Sequence, residues 1–189
     1  MKKLPWTISK SEPLAIFLSA CVLLITAFFS VGFYHADEHF QVLEFAGYKL
    51  GLTPLKDLPW EFHFRMRPAL QPAMAVLLHH FFSLFGIENP FAITLILRIL
   101  SAGISLTGMW LVYKAFYKTI ESRILGQWFL LLSFFLWFAI YNHVRFSSEN
   151  WSGTLFVIAF AFYVIRKKPG RLFFFSVGVL TGLSFLFSY

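Results

Sequence analysis

Six apolar runs, most of them long enough to cross a bilayer, leave this chain little choice of fold. They cover residues 14–34, 69–86, 91–113, 124–141, 151–165 and 172–189. A helix needs about 20 predominantly apolar residues to span roughly 30 Å of hydrocarbon. Hydrophobic residues fill 58% of the 189 positions and charged ones only 13%, with a mean hydropathy of +0.69, which excludes an ordinary soluble domain. The fold class is therefore an all-α integral membrane protein. The first run invites a different reading, because Lys2 and Lys3 precede Leu18-Ser19-Ala20-Cys21, a pattern resembling a lipoprotein processing site. A signal peptide's apolar region ends at its cleavage site. This run continues past Cys21 to Phe33, so it is read as a retained anchor.

Charge sets the topology. Sixteen Lys and Arg against nine Asp and Glu give +7, and the basic residues gather in short clusters between the apolar runs. That pattern marks cytoplasmic loops rather than a nucleic-acid surface. Six crossings would separate Lys2, Lys3 and Lys10 from the cluster at Arg166, Lys167, Lys168 and Arg171. Five crossings place both on one side with Lys114, Lys118 and Arg123. Residues 69–86 are the run to withdraw, being short, with Pro68 and Pro72 at the start and His79 and His80 inside. The expected spans are about 14–34, 91–113, 124–141, 151–165 and 172–189. A non-cytoplasmic loop at 35–90 carries surface helices over 36–50 and 69–86. With one cysteine, Cys21, no internal disulfide or cysteine-based zinc site can form. His79 and His80 are adjacent rather than four apart, so no metal or other cofactor is expected.

The long loop is where chemistry is expected. Residues 35–68 hold five of the nine acids: Asp37, Glu38, Glu44, Asp57 and Glu61. Asp37, Gln41, Glu44 and Tyr48 recur at helical spacing, with Phe40, Leu43, Gly47 and Leu50 on another face, as in a helix lying along a membrane surface. The stripe is either merely solvated or functional. Carboxylates this close to a span are costly unless they have a task. A second loop, 142–150, contains Arg145 and Glu149, which either pair at the interface to end two helices or belong to a site. Arg98, inside an apolar run, either snorkels or binds phosphate. The Asn150-Trp151-Ser152 sequon abuts a span. The sequence contains no Gly-rich phosphate loop and no G-x-S-x-G motif.

The stretch Phe33-Tyr34-His35-Ala36-Asp37-Glu38-His39-Phe40-Gln41-Val42-Leu43-Glu44 resembles the first-loop motif of glycosyltransferase family 22. Gly47 or Gly51, then Trp60-Glu61 and Arg67-Pro68, continue the pattern in order, and Arg145-Phe146-Ser147-Ser148-Glu149 is similar to a second non-cytoplasmic loop. The resemblance implies a GT-C fold, here a partial helical bundle with a long external first loop. It also implies transfer of a hexose, mannose by analogy, from a polyprenyl-phosphate donor to an acceptor hydroxyl on a glycan or glycolipid. Asp37 matches the catalytic carboxylate. Glu38, Gln41, Arg67, Arg98, Arg145 and Glu149 are the expected substrate- and donor-binding residues, and no cofactor is implied beyond the lipid-linked donor. Relatives are substantially longer, so the chain is read as an N-terminal portion whose activity awaits completion. The rival readings are a transporter subunit and a non-catalytic remnant or assembly subunit.

Overall fold

The computed structural model describes residues 11–30, 32, 38–166 and 170–188. Among them every regular element is helical. The elements are α1 (Ser11–Phe29), a π-helical turn (Glu38–Leu43) running into α2 (Glu44–Lys49), α3 (Trp60–His63), α4 (Leu70–Ser83), α5 (Pro90–Phe116), α6 (Arg123–Phe135), α7 (Trp137–His143), α8 (Ser148–Ile165) and α9 (Arg171–Ser188).

Among the described residues four segments are long and apolar enough to cross a membrane: Glu12–Phe29, Pro90–Thr119, Arg123–His143 and Arg171–Ser188. α8 equals the shortest of these at 18 residues, but its first turns carry Ser148, Glu149, Asn150, Ser152 and Thr154. It lies between α5 and α9. α4 has 14 residues, about 21 Å of helix and too short for the hydrocarbon core. It buries Gln71, Pro72 and Ala75 while leaving Leu77 and Phe81 exposed, as are Leu84 and Phe85 just past its end. Such an apolar outer face suits a helix lying partly in the bilayer surface.

Contacts fix the direction of each long helix. Glu12, at the start of α1, pairs with Lys114, near the end of α5, and Arg98, early in α5, meets Ser30 just past α1. α5 is therefore antiparallel to α1. Ser105 of α5 lies 3.4 Å from Thr154 of α8, and Phe116 stacks on Phe160, so α8 runs with α5. Ser184 of α9 donates to the Ser152 carbonyl of α8 at 2.8 Å, and Phe187 packs on Trp151, which makes α9 antiparallel to α8.

Small side chains allow this packing, since helices in lipid associate through close van der Waals contact. α1 turns Ala15, Ser19, Leu23 and Ala27, spaced by four, toward its neighbours and exposes Phe17, Leu24, Ile25 and Phe28. A Cβ on Gly108 of α5 would lie 3.3 Å from the Thr154 methyl of α8. Asn89 caps α5 by accepting the Phe91 N–H at 2.9 Å, with Pro90 in the first helical position.

The segment expected as one span at 124–141 is two helices, broken at Leu136, whose ψ of 113° is extended. Neither Pro nor Gly stands at the break. Backbone groups at membrane depth must be satisfied within the protein. Here the Ser19 hydroxyl of α1 donates to the Phe134 carbonyl at 3.1 Å, both residues being 0% exposed.

Candidate active site

At the end of the bundle where α1 finishes and α5 begins, two arginines converge on one carbonyl. Arg98 donates through Nη2 to the Gly32 carbonyl at 3.0 Å and through Nη1 to that of Ser30. Arg145 donates through Nη1 to the same Gly32 oxygen at 2.9 Å. Gly32 has φ +71°, a left-handed conformation that glycine adopts without strain. Aiming its carbonyl at both guanidinium groups depends on that turn.

Arg145 is 3% exposed, in a linker between α7 and α8 flanked by Val144 at 0% and Phe146 at 3%. Its guanidinium lies over the Tyr141 ring, 4.5 Å from the centroid, and donates to the Tyr141 hydroxyl. Asn150 fastens the linker, its Nδ2 donating to the Arg145 carbonyl at 2.8 Å and toward that of His143 at 3.4 Å. Its Oδ1 takes longer contacts of 3.4 Å from Ser105 and Thr154. Ser147 caps α8 by accepting the Asn150 N–H. Trp151 donates to Ser101 at 2.8 Å and meets Phe146 edge-on. Asn150 is thus a half-buried hydrogen-bonding hub whose amide is already engaged, which argues against its use as a glycan acceptor.

The sequence-predicted residues divide into groups. Arg98 and Arg145 meet at Gly32, although they are far apart in the chain. Asp37 lies outside the described residues, and Glu38 and Gln41 fall in the π-helical turn with their side chains likewise outside. Arg67 pairs with Glu61 at 2.9 Å within the first loop and is 37% exposed. Glu149 makes no ion pair among the described residues, so the alternative of an interfacial Arg145–Glu149 pair is not realised. It lines instead a cleft of about 350 Å³ between α5, α6 and α8, with Ser105, Met109, His143, Asn150 and Val157.

Glu44, on the predicted polar stripe, is occupied locally. It accepts from Thr53 at 2.8 Å and meets His39 at 3.0 Å. A Cβ on Gly47 would come within 2.6 Å of the Thr53 hydroxyl, which would have to turn aside to admit it. Sequence reasoning passed over Tyr141, four residues before Arg145 and so on the same helical face, and Asn150, which it read only as a sequon.

A sequence profile of the Alg9-like mannosyltransferase family matches residues 14–187. The chain belongs to this family. No curated protein and no solved structure matches it. Membership in the Alg9-like family supplies the general activity, membrane mannosyl transfer, and with it a sugar donor and a glycan acceptor. It also gives the helical spans their setting, an integral membrane protein. For an Alg9-like chain, the paired arginines are the feature of the described residues best suited to a charged substrate.

Proposed function

We propose that this membrane mannosyltransferase moves mannose from a polyprenyl-phosphate donor to a hydroxyl of a glycan or glycolipid on the non-cytoplasmic side, through a GT-C type of bundle. The observation that carries the reading is the convergence of Arg98 and Arg145 on the Gly32 carbonyl, five positions before Asp37. As the acceptor oxygen bonds to the anomeric carbon, the bond from that carbon to the phosphate oxygen breaks. The acceptor proton passes to the Asp37 carboxylate, and the phosphate leaves with the bonding electrons. A positioned general base contributes about 10²- to 10⁴-fold in rate. Guanidinium forks suit the phosphate, offering paired donors to its charged oxygens. Because the leaving group is already a phosphate, the residues need no metal to make it leave.

Sidedness is supported by where charge falls on the antiparallel bundle. Lys114, Lys118, Arg123, Arg166 and Arg171 lie toward the end opposite Arg98 and Arg145, in keeping with five crossings and a cytoplasmic basic end. Single cysteines at Lys56 and Lys118 in a Cys21→Ser background test this with an impermeant thiol reagent. Labelling from outside is expected at 56 and, only after permeabilisation, at 118; the reverse would sink the topology. The chemical reading is tested with Asp37→Asn in membranes expressing the gene at its full natural length. Expected is a loss of about 10²-fold or more in kcat with donor KM nearly unchanged. Retention of more than about a tenth of the activity would remove Asp37 from the role and make Glu38 the carboxylate to examine.

A further inference from the structure

Gln71 stands in the first turn of α4, is 1% exposed, and accepts through Oε1 from the Ser148 hydroxyl at 2.8 Å. Ser148 is the first residue of α8, so the amide lies against the beginning of that helix. Its Nε2 is buried and has no hydrogen-bond partner among the described residues. Buried polar groups left unpaired are few and each calls for a reason. Other donors are idle at the same place. The Ser147 hydroxyl takes the Asn150 N–H and the Ser147 carbonyl takes that of Trp151, which leaves the N–H groups of Ser148 and Glu149 without acceptors inside the helix. The start of an 18-residue helix also favours negative charge.

We propose that the Gln71 amide and the first turn of α8 form a subsite for a phosphoryl oxygen, that of the polyprenyl-phosphate donor. This rests on the proposed function and extends it to a residue outside the sequence-predicted set. Ser148 follows Arg145 by three positions, and the Asn150 hydrogen bonds hold the intervening linker, so guanidinium and subsite belong to one fixed loop end. The two donors differ in kind. Arg145 brings charge, whereas the neutral amide brings direction and can be buried while empty at far lower cost than a second cation.

Glu149, the acid of that turn, is exposed and lines the cleft with Asn150 and Gly153, so its charge opens onto the cleft. A purely structural glutamine would need only the Oε1 contact to Ser148. Among the described residues that contact is the one hydrogen bond joining α4 to α8. α4 packs otherwise on α2, the π-helical turn, α5 and α9.

The test compares Gln71→Leu and Gln71→Glu with the unaltered protein in membranes expressing the full-length gene. Steady-state transfer from polyprenyl-phosphate mannose is followed together with thermal stability of the purified protein. Losing a hydrogen bond to a charged oxygen is expected to raise donor KM about tenfold in Gln71→Leu, with a smaller change in kcat. Its melting temperature should change little, because a buried donor without an acceptor is removed together with the acceptor of the half-buried Ser148 hydroxyl. Gln71→Glu keeps an acceptor for Ser148 but sets a carboxylate against the phosphate, and should raise KM further. Farnesyl phosphate should protect the unaltered protein from heat and lose most of that effect in Gln71→Leu.

Equal protection by inorganic phosphate would make this a free-anion site and overturn the assignment to the lipid donor. Protection by methyl mannoside but by neither phosphate would overturn the phosphoryl chemistry. A lower melting temperature with unchanged KM would reduce Gln71 to packing. If Arg145→Ala raises donor KM while Gln71→Leu does not, only this inference falls. If neither does, the proposed phosphate site falls with it.

Discussion

Cations at the two ends of the bundle are held differently. At one end Lys114 meets Glu12 at 3.1 Å and lies over the rings of Trp110 and Tyr117, while Lys118 lies over Tyr117. The Glu12 side chain is 6% exposed, so the lysine answers a buried carboxylate and the charges cancel in place. At the other end Arg98 and Arg145 turn to backbone carbonyls, and Arg145 rests on a tyrosine face. The residue types fit their tasks. A lysine is a compact point charge that one acid can answer, whereas a guanidinium has five donors in a fixed plane and can grip a carbonyl and a second oxygen together. The lysine end therefore reads as an anchor, and the arginine end as a place where an anion can be received.

That contrast can be broken most forcefully at Arg145. Arg145→Ala should lower transfer by about 10²- to 10³-fold, the scale seen when a fixed donor is removed from a developing charge, and should also raise donor KM. Arg145→Lys should restore little, since it returns charge without the fork. Recovery of near-normal kcat/KM by the lysine would show that charge alone matters and erase the distinction between the ends.

Next in size is Lys114→Met, which strands the Glu12 carboxylate. Breaking a buried pair costs about 3–5 kcal/mol, and because Lys114 is 30% exposed the lower end of that range is expected. Thermal stability or protein yield should fall while the KM of surviving enzyme stays put. A selective loss of donor affinity would mean that the anchor end takes part in binding. Gly47→Ala should cost less, about 1–2 kcal/mol, because Thr53 can rotate away at the expense of its hydrogen bond to Glu44. Limited proteolysis of the first loop would read that loss. Smallest is Lys114→Arg, which keeps charge and ring contact and should change stability by less than about 0.5 kcal/mol; a large effect there would show that the ammonium geometry is itself required.

Much of the architecture was legible because lipid penalises alternatives. Long apolar runs must be helical, and the shortness of residues 69–86 together with Pro68 and Pro72 set that run apart from the long spans; its helix, α4, has 14 residues. Arg98 and Arg145 were legible as candidates for the same reason, charge near hydrocarbon. Their meeting at Gly32 was not, because it joins positions 66 and 113 residues apart and depends on one left-handed backbone turn. Proximity in sequence left open a pair between Glu149 and Arg145, and among the described residues none forms. The break at Leu136 had no Pro or Gly to announce it; its compensation comes from a serine on another helix. Nothing in the sequence sets Gln71 apart from other polar residues; its burial does.

The seal on that break has a consequence for how the protein is made. Ser19 and the Phe134 carbonyl it satisfies are 115 residues apart, so the hydroxyl is synthesised and inserted long before the carbonyl exists. A discontinuous span released alone into lipid would carry unsatisfied backbone, at a cost of several kcal/mol per group. The third long segment thus gains its place in the bilayer by arriving beside an α1 already there, and a defect in the first helix would surface late, as failure of a distant one to insert.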